Sequence, residues 1–368
     1  MTNNILKISL VIFFFSYLNL RGQEPLTEEK SIPNFKELKY RNVGPTRGGR
    51  VTSVCGVNNN QFTFYMGTTG GGLWKSTDAG LNWNNISDGF FKSPSIGAIR
   101  VYQKKPSIIY VGTGSDGIRS NVIVGKGIYK STDAGKSWSH IGLKNVGQIG
   151  AVETHPDNPD IVYVAAIGQP FQPNEERGLY KSLDGGKTWE NILFISNKIG
   201  VVDIELSPDN PNVIYAASWR GERKPWTIIS GSEEGGIYKS TDAGKTWRKL
   251  KKGLPKGLIG KIDLATTAAD PDRVYALIEA DNGQGGVYTS YDRGKNFTPM
   301  SYRKELVNRP FYYCNLEADP KNADIIFSNA NRFMISSDAG KTWKIMRTPH
   351  GDNHDIWINP NNTNIWIQ

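Results

Sequence analysis

Between residues 96 and 142 the chain spells out one structural unit. Ile96–Tyr102 ("IGAIRVY") alternates in the period-2 manner of a half-buried strand. Lys104–Ser107 ("KKPS") reads as a turn, Ile108–Gly112 ("IIYVG") as a second strand, Gly127–Ser131 as a third and Trp138–Gly142 as a fourth. The turn after the first strand recurs along the chain in "HPDNPDIVYVA", "SPDNPNVIYAA", "AADPDRVYALI" and "ADPKNADIIFS". Pro presets φ there, and Asp and Asn side chains close the turn. Helical periodicity is absent, so the pattern predicts an all-β fold.

The unit is a repeat. Aligned on one serine, copies fall at Ser76, Ser131, Ser182, Ser240, Ser290 and Ser336, with spacings of 46 to 58 residues. They read "GGLWKSTDAGLNW", "KGIYKSTDAGKSW", "RGLYKSLDGGKTW", "GGIYKSTDAGKTW", "GGVYTSYDRGKNF" and "NRFMISSDAGKTW". A period in this range with four strands per unit predicts a β-propeller of at least six blades. An active site is rarely needed six times in one chain, so the repeated aspartates (Asp78, Asp133, Asp184, Asp242, Asp292 and Asp338) are expected to be structural. Each can accept amide hydrogens across its turn while the following glycine takes positive φ. Trp83, Trp138, Trp189, Trp247 and Trp343, with Phe297 in their place once, are large enough to wedge between blades. After Trp343 a new inner strand begins at Asp355 ("DIWINPNNTNIWIQ"), giving two strands of a seventh blade. Because a propeller normally closes its ring, residues 41–368 read as a propeller incomplete at its C-terminus, a piece of a longer secreted protein.

The N-terminus changes the compartment. Ile8–Leu20 ("ISLVIFFFSYLNL") follows a lysine and is shorter than a membrane span, as in a signal peptide. The expectation is a signal peptide over 1–22, a lead-in over 23–40 and no membrane span after cleavage. The net charge of +9 does not point to nucleic acid. Nine lysines recur once per repeat and are spread around the ring rather than gathered in a stripe. Cys55 and Cys314 carry no metal-ligand spacing and fall on inner strands of the first and sixth blades, so free thiols are expected.

Function is expected on the face opposite the repeated turns, where the long loops Gly112–Gly127, Ile167–Gly178, Ser218–Gly236 and Met300–Tyr313 emerge. "SWRGERKPW" combines Trp219 and Trp226 with Arg220, Arg223 and Glu222, a set suited to sugar rings, carboxylates or peptide termini, or else to packing its own loop. "GPTRGGR" aims Arg47 and Arg50 near the central channel, as ligand contacts or as part of ring closure. "HGDNHD" holds His350, Asp352, His354 and Asp355, which read as a strand-starting turn, a metal site on His350 and His354, or a carboxylate acid/base.

The six S-x-D-x-G-x-T-W copies resemble the Asp-box (BNR) repeat of sialidases, xyloglucanase-type glycoside hydrolases and the sortilin/Vps10 propeller, over about residues 41–368. The "YRNVGP" and "GPTRGGRV" stretches resemble bacterial secreted proteins classed with the sortilin/Vps10 N-terminal domain. This resemblance implies a secreted propeller that binds an extracellular peptide, protein or glycan and needs no cofactor. The alternative it implies is a glycoside hydrolase acting on polysaccharide, with Asp352, Asp355 and Glu222 as the best-placed carboxyls. In the xyloglucanase-like families a first-blade aspartate is essential, and Thr69 stands at its place. The sialidase R-I-P motif is absent.

Overall fold

The computed structural model describes residues Gly49–Gln368. The expected signal peptide and lead-in, and Arg47, lie outside the described residues. Six antiparallel four-stranded sheets follow one another along the chain, and a two-stranded sheet closes the sequence. Their innermost strands are Val51–Val57, Ile96–Val101, Gln148–His155, Gly200–Ser207, Ile259–Thr266 and Asn315–Ala318, with Trp357–Ile358 in the seventh position. The second unit runs Ile96–Val101, Ile109–Thr113, Ile128–Ser131 and Ser139–His140, within two residues of the ends expected from its pattern. Among the described residues the one helix is a short 3-10 turn, Lys304–Val307.

The seventh position sits between blades 6 and 1. Ile356 and Ile358 pack on Phe327 and Phe333 of blade 6, while Trp357 lies against Cys55 and its neighbours in blade 1. With a unit between them, Cys55 and Cys314 do not meet, and both are free and buried. Burial pushes both thiols up, Cys55 to about 11. Neighbouring inner strands approach at backbone contact. A Cβ on Gly97 would come within 1.9 Å of the Ile149 carbonyl oxygen in the next blade, so only glycine fits.

Three aspartates, two on inner strands and one just before the seventh, latch one blade to the next at three of the junctions. The Leu264 amide donates to Asp203 Oδ2 (2.7 Å), Leu316 to Asp263 Oδ2 (2.6 Å), and Val54 to Asp355 Oδ2 (2.7 Å). The last of these joins the seventh unit to the first and closes the ring.

The repeated turn is a closed hydrogen-bond unit. In blade 4, Ser240 Oγ donates to Asp242 Oδ1 (2.7 Å) and accepts from the Gly244 amide (2.9 Å). The Thr246 amide donates to Oδ1 (2.9 Å) and its hydroxyl to Oδ2 (2.6 Å). Hydrogen bonds from Thr246 and Ser240 lower the Asp242 carboxyl to about 2. Ala243 and Gly244 both take positive φ (60° and 89°); the alanine's left-handed backbone is held by the bonds on either side of it. Four of the five tryptophans, Trp138, Trp189, Trp247 and Trp343, do wedge between blades. Trp138 Nε1 donates to the Ile86 carbonyl of blade 1 (2.8 Å), and Trp189 Nε1 to that of Ile141 in blade 2 (2.7 Å).

Candidate functional site

The long-loop face is built outward from blade 4. Its second strand, Asn210–Trp219, ends in a tryptophan that is fully buried (0% exposed). The ring lies in the apolar cluster of blades 4 and 5, and Nε1 donates to Ser230 Oγ (3.1 Å). Trp219, expected to face a ligand, is therefore the base of the loop and not its surface. Beyond it a small hairpin, Gly221–Arg223 paired with Ile228–Ser230, stands out from the sheet. The Lys224 amide bonds the Thr227 carbonyl (2.9 Å), closing a tight turn that presents Trp226 at 81% exposure.

Glu222 locks this hairpin. The carboxylate is buried between Arg220 Nε (3.2 Å) and Lys224 Nζ (3.1 Å). Burial pushes its pKa up, but the hydrogen bonds from Lys224 and Arg220 outweigh that and hold it below the usual range. A carboxylate kept ionised by two cations is a poor proton donor, so Glu222 does not fit a general acid. The Ile167–Gly178 loop braces the hairpin from the side. The Arg223 amide donates to the Pro170 carbonyl (2.5 Å) and Lys224 Nζ to that of Phe171 (3.1 Å). Phe171, like Trp226, is exposed. Buried Arg177 ties that loop down, donating to the carbonyls of Ile167 (2.6 Å) and Gln169 (2.7 Å).

The "HGDNHD" stretch does not gather its side chains into one site. His350 is exposed, its Nδ1 against the Gly351 carbonyl. His354 is buried, edge-on to Tyr312 and Tyr313, and burial lowers its pKa to about 4. Asp352 is half-buried with positive φ (62°). Asp355 faces the channel, where burial pushes its carboxyl up to about 7 although the Val54 and Ile356 amides bond it. Among the described residues no three His, Cys, Asp or Glu side chains are placed to hold a metal ion. Arg50 lies over the Tyr312 ring (5.7 Å), as does Arg119 (4.4 Å).

A loop from blade 2 covers the channel on this face. Ile118 packs among Trp219, Ile262 and Phe311, and its amide bonds the Phe311 carbonyl (3.1 Å). Asp116 of the same loop pairs with the fully buried Lys261. Below this cover the channel carries two tiers of carboxyls, Asp203, Asp263 and Asp355, then Glu153, Glu205 and Glu317. It opens at the other face into a cavity of about 670 Å³ ringed by the first-to-second turns. Of these six only Asp355 stood out in sequence. The signal was present, because the acids occupy alternate positions of strands such as "VVDIELS", where a surface-facing reading is equally natural.

No helix among the described residues is long and apolar enough to cross a membrane. A probable oligoxyloglucan-reducing end-specific xyloglucanase of Neosartorya fischeri is 22% identical over 88% of this chain and 43% of its own length. The vacuolar protein sorting/targeting protein 10 of Colletotrichum graminicola is 31% identical over 28% of this chain and 6% of its own. The chain thus spans less than half the length of these relatives. Among solved structures, "YCF48 bound to D1 peptide" superposes with a TM-score of 0.57 at 14% identity, over 87% of this chain and 92% of that one, which shows a shared propeller fold. The Sortilin-Vps10 family model (sortilin, neurotensin receptor 3) matches residues 71–225 and 235–351, and the chain belongs to that family.

Proposed function

We propose that this protein is a secreted propeller of Asp-box repeats that binds an extracellular peptide or glycan through its long-loop face. The observation that carries this reading is the blade-4 hairpin. Its base is buried at Trp219 and ion-paired at Glu222, while Trp226 projects at its tip and exposed Phe171 lies on the loop that bonds Lys224. An exposed aromatic on a rigid mount loses little entropy on stacking, and tryptophan and arginine dominate binding hot spots. Arg223, at the flank, supplies a guanidinium for a carboxylate or sugar hydroxyl. The likeness to a propeller solved with a peptide supports the peptide arm, and the xyloglucanase relatives support the glycan arm. The apolar N-terminal run supports export.

Titration against a panel of polysaccharides and peptides, with turnover followed in parallel, tests the reading. Trp226→Ala is expected to weaken binding at least tenfold, while Asp352→Asn leaves it unchanged and no turnover is seen. Turnover that survives Trp226→Ala but vanishes with Asp352→Asn or Asp355→Asn would establish the hydrolase instead.

A further inference from the structure

The channel through the ring gathers more carboxyl groups than the protein pairs with cations. Its two ion pairs are Arg100–Glu153 (2.6 Å) and Lys261–Asp116. Glu205 receives only the Thr266 hydroxyl (2.8 Å), and Glu317 pairs with no cation among the described residues. Asp203 and Asp355 lie one tier above, each bonded by backbone amides alone. Carboxyls facing each other in a low-dielectric channel either hold their protons or, where they ionise, repel strongly unless a cation lies between them.

A second, independent feature points into the same space. Asn329 is fully buried and lines the channel near its covered end, and neither its amide oxygen nor its amide nitrogen has a hydrogen-bond partner. A buried amide with no partner is destabilising, so a ligand group that bonds it is favoured. The chain itself shows which chemistry suits this depth, because its own contribution there is the Lys261 ammonium against Asp116.

We propose that the channel binds a linear polyamine, which enters from the repeated-turn face and lies along the axis. The lower ammonium sits between Glu205 and Glu317, the next between Asp203 and Asp355, and the leading end reaches Asn329. The two tiers are two residues apart along a strand, as Asp203 and Glu205 show, about 6.8 Å. That separation is close to the span of two ammonium groups joined by four methylenes, and it exceeds the span one hard metal ion bridges with ligands at about 2.0–2.6 Å. No three-residue metal cluster is present among the described residues. The ~670 Å³ mouth leads into a smaller, carboxyl-lined section of about 160 Å³. Bulk attraction cannot account for such binding, since the whole chain carries a net charge of +9.

Calorimetry and thermal melts of the full chain with spermidine test the proposal, with Ca²⁺ and a lysine-containing peptide as competing probes. Spermidine is expected to bind at one site and raise the Tm. Glu317→Gln and Glu205→Gln should each weaken it at least tenfold, without lowering the Tm of the free protein, because each amide removes repulsion while keeping shape. Asp88→Asn, an exposed site, should bind as wild type. Absence of heat and of a melting shift would overturn the proposal. So would equal binding by both glutamine variants, or Ca²⁺ or the peptide binding in the channel without competition from spermidine.

Discussion

Asp242 and Glu317 show how one side-chain type serves opposite ends of this fold. In the repeated turn, four donors surround an exposed carboxylate and its pKa falls to about 2. In the channel, burial dominates and lifts Glu317 to about 8, with nearby Asp355 adding to the effect. The linkage signs are therefore opposite. Asp242 contributes stability above its unfolded pKa, and that stability is lost as pH falls through about 2. Glu317 favours its protonated form in the fold, so stability is greatest below its unfolded pKa and is lost as pH rises through about 8. Melts from pH 2 to 9 should show a weaker acid-side decline for Asp242→Asn, from a lower plateau, and a flatter alkaline decline for Glu317→Gln. Unchanged profiles in both variants would remove these groups from the pH response. Trp219 and Trp226 make the same point for apolar side chains. Seven residues apart, one is the floor of a loop and the other its tip.

At the scale of the blade, the lysine before each repeated serine has a specific job. Lys75 Nζ donates to the Ala134 carbonyl (2.9 Å), Lys130 to Gly185 (3.2 Å), Lys181 to Ala243 (2.8 Å) and Lys239 to Arg293 (2.6 Å), each at the turn of the next blade. Each ammonium also lies over its own blade's tyrosine, Tyr65, Tyr110, Tyr163 or Tyr215, at 5.1–5.5 Å. Thr289 substitutes in blade 5, its hydroxyl bonding the Ala339 carbonyl (3.1 Å). Lys181→Ala is expected to cost about 1.5–3 kcal/mol, the range for hydrogen bonds to a charged group, whereas the exposed Lys187→Ala should be neutral. Chemical denaturation of the two variants decides this. These contacts also mark the limit of reading from sequence. Strand order and turn chemistry are local, so the period-2 patterns and the Ser-x-Asp-x-Gly spacing made them legible. A lysine that reaches across to the next blade is non-local, and in sequence it differs from Lys187 only by its position in the repeat.

For the whole ring, the repeat made the architecture legible and left the site obscure. The long loops were correctly expected opposite the repeated turns, but which of their aromatics faces outward depends on tertiary packing. Trp219 is buried only because Ile118 arrives from blade 2 and Ile262 from blade 5. The acidic channel depends likewise on ring closure, because its carboxyls meet only when every inner strand faces one axis. In the proposed function, ligand docks on the face carrying the braced blade-4 hairpin. Hydrogen–deuterium exchange with a panel ligand at saturation tests it most directly. Protection is predicted over Gly221–Ser230 and the adjoining residues 167–178, with exchange unchanged across the serine–aspartate turn at residues 240–247. Protection confined to the repeated turns, with the hairpin exchanging as in free protein, would contradict it.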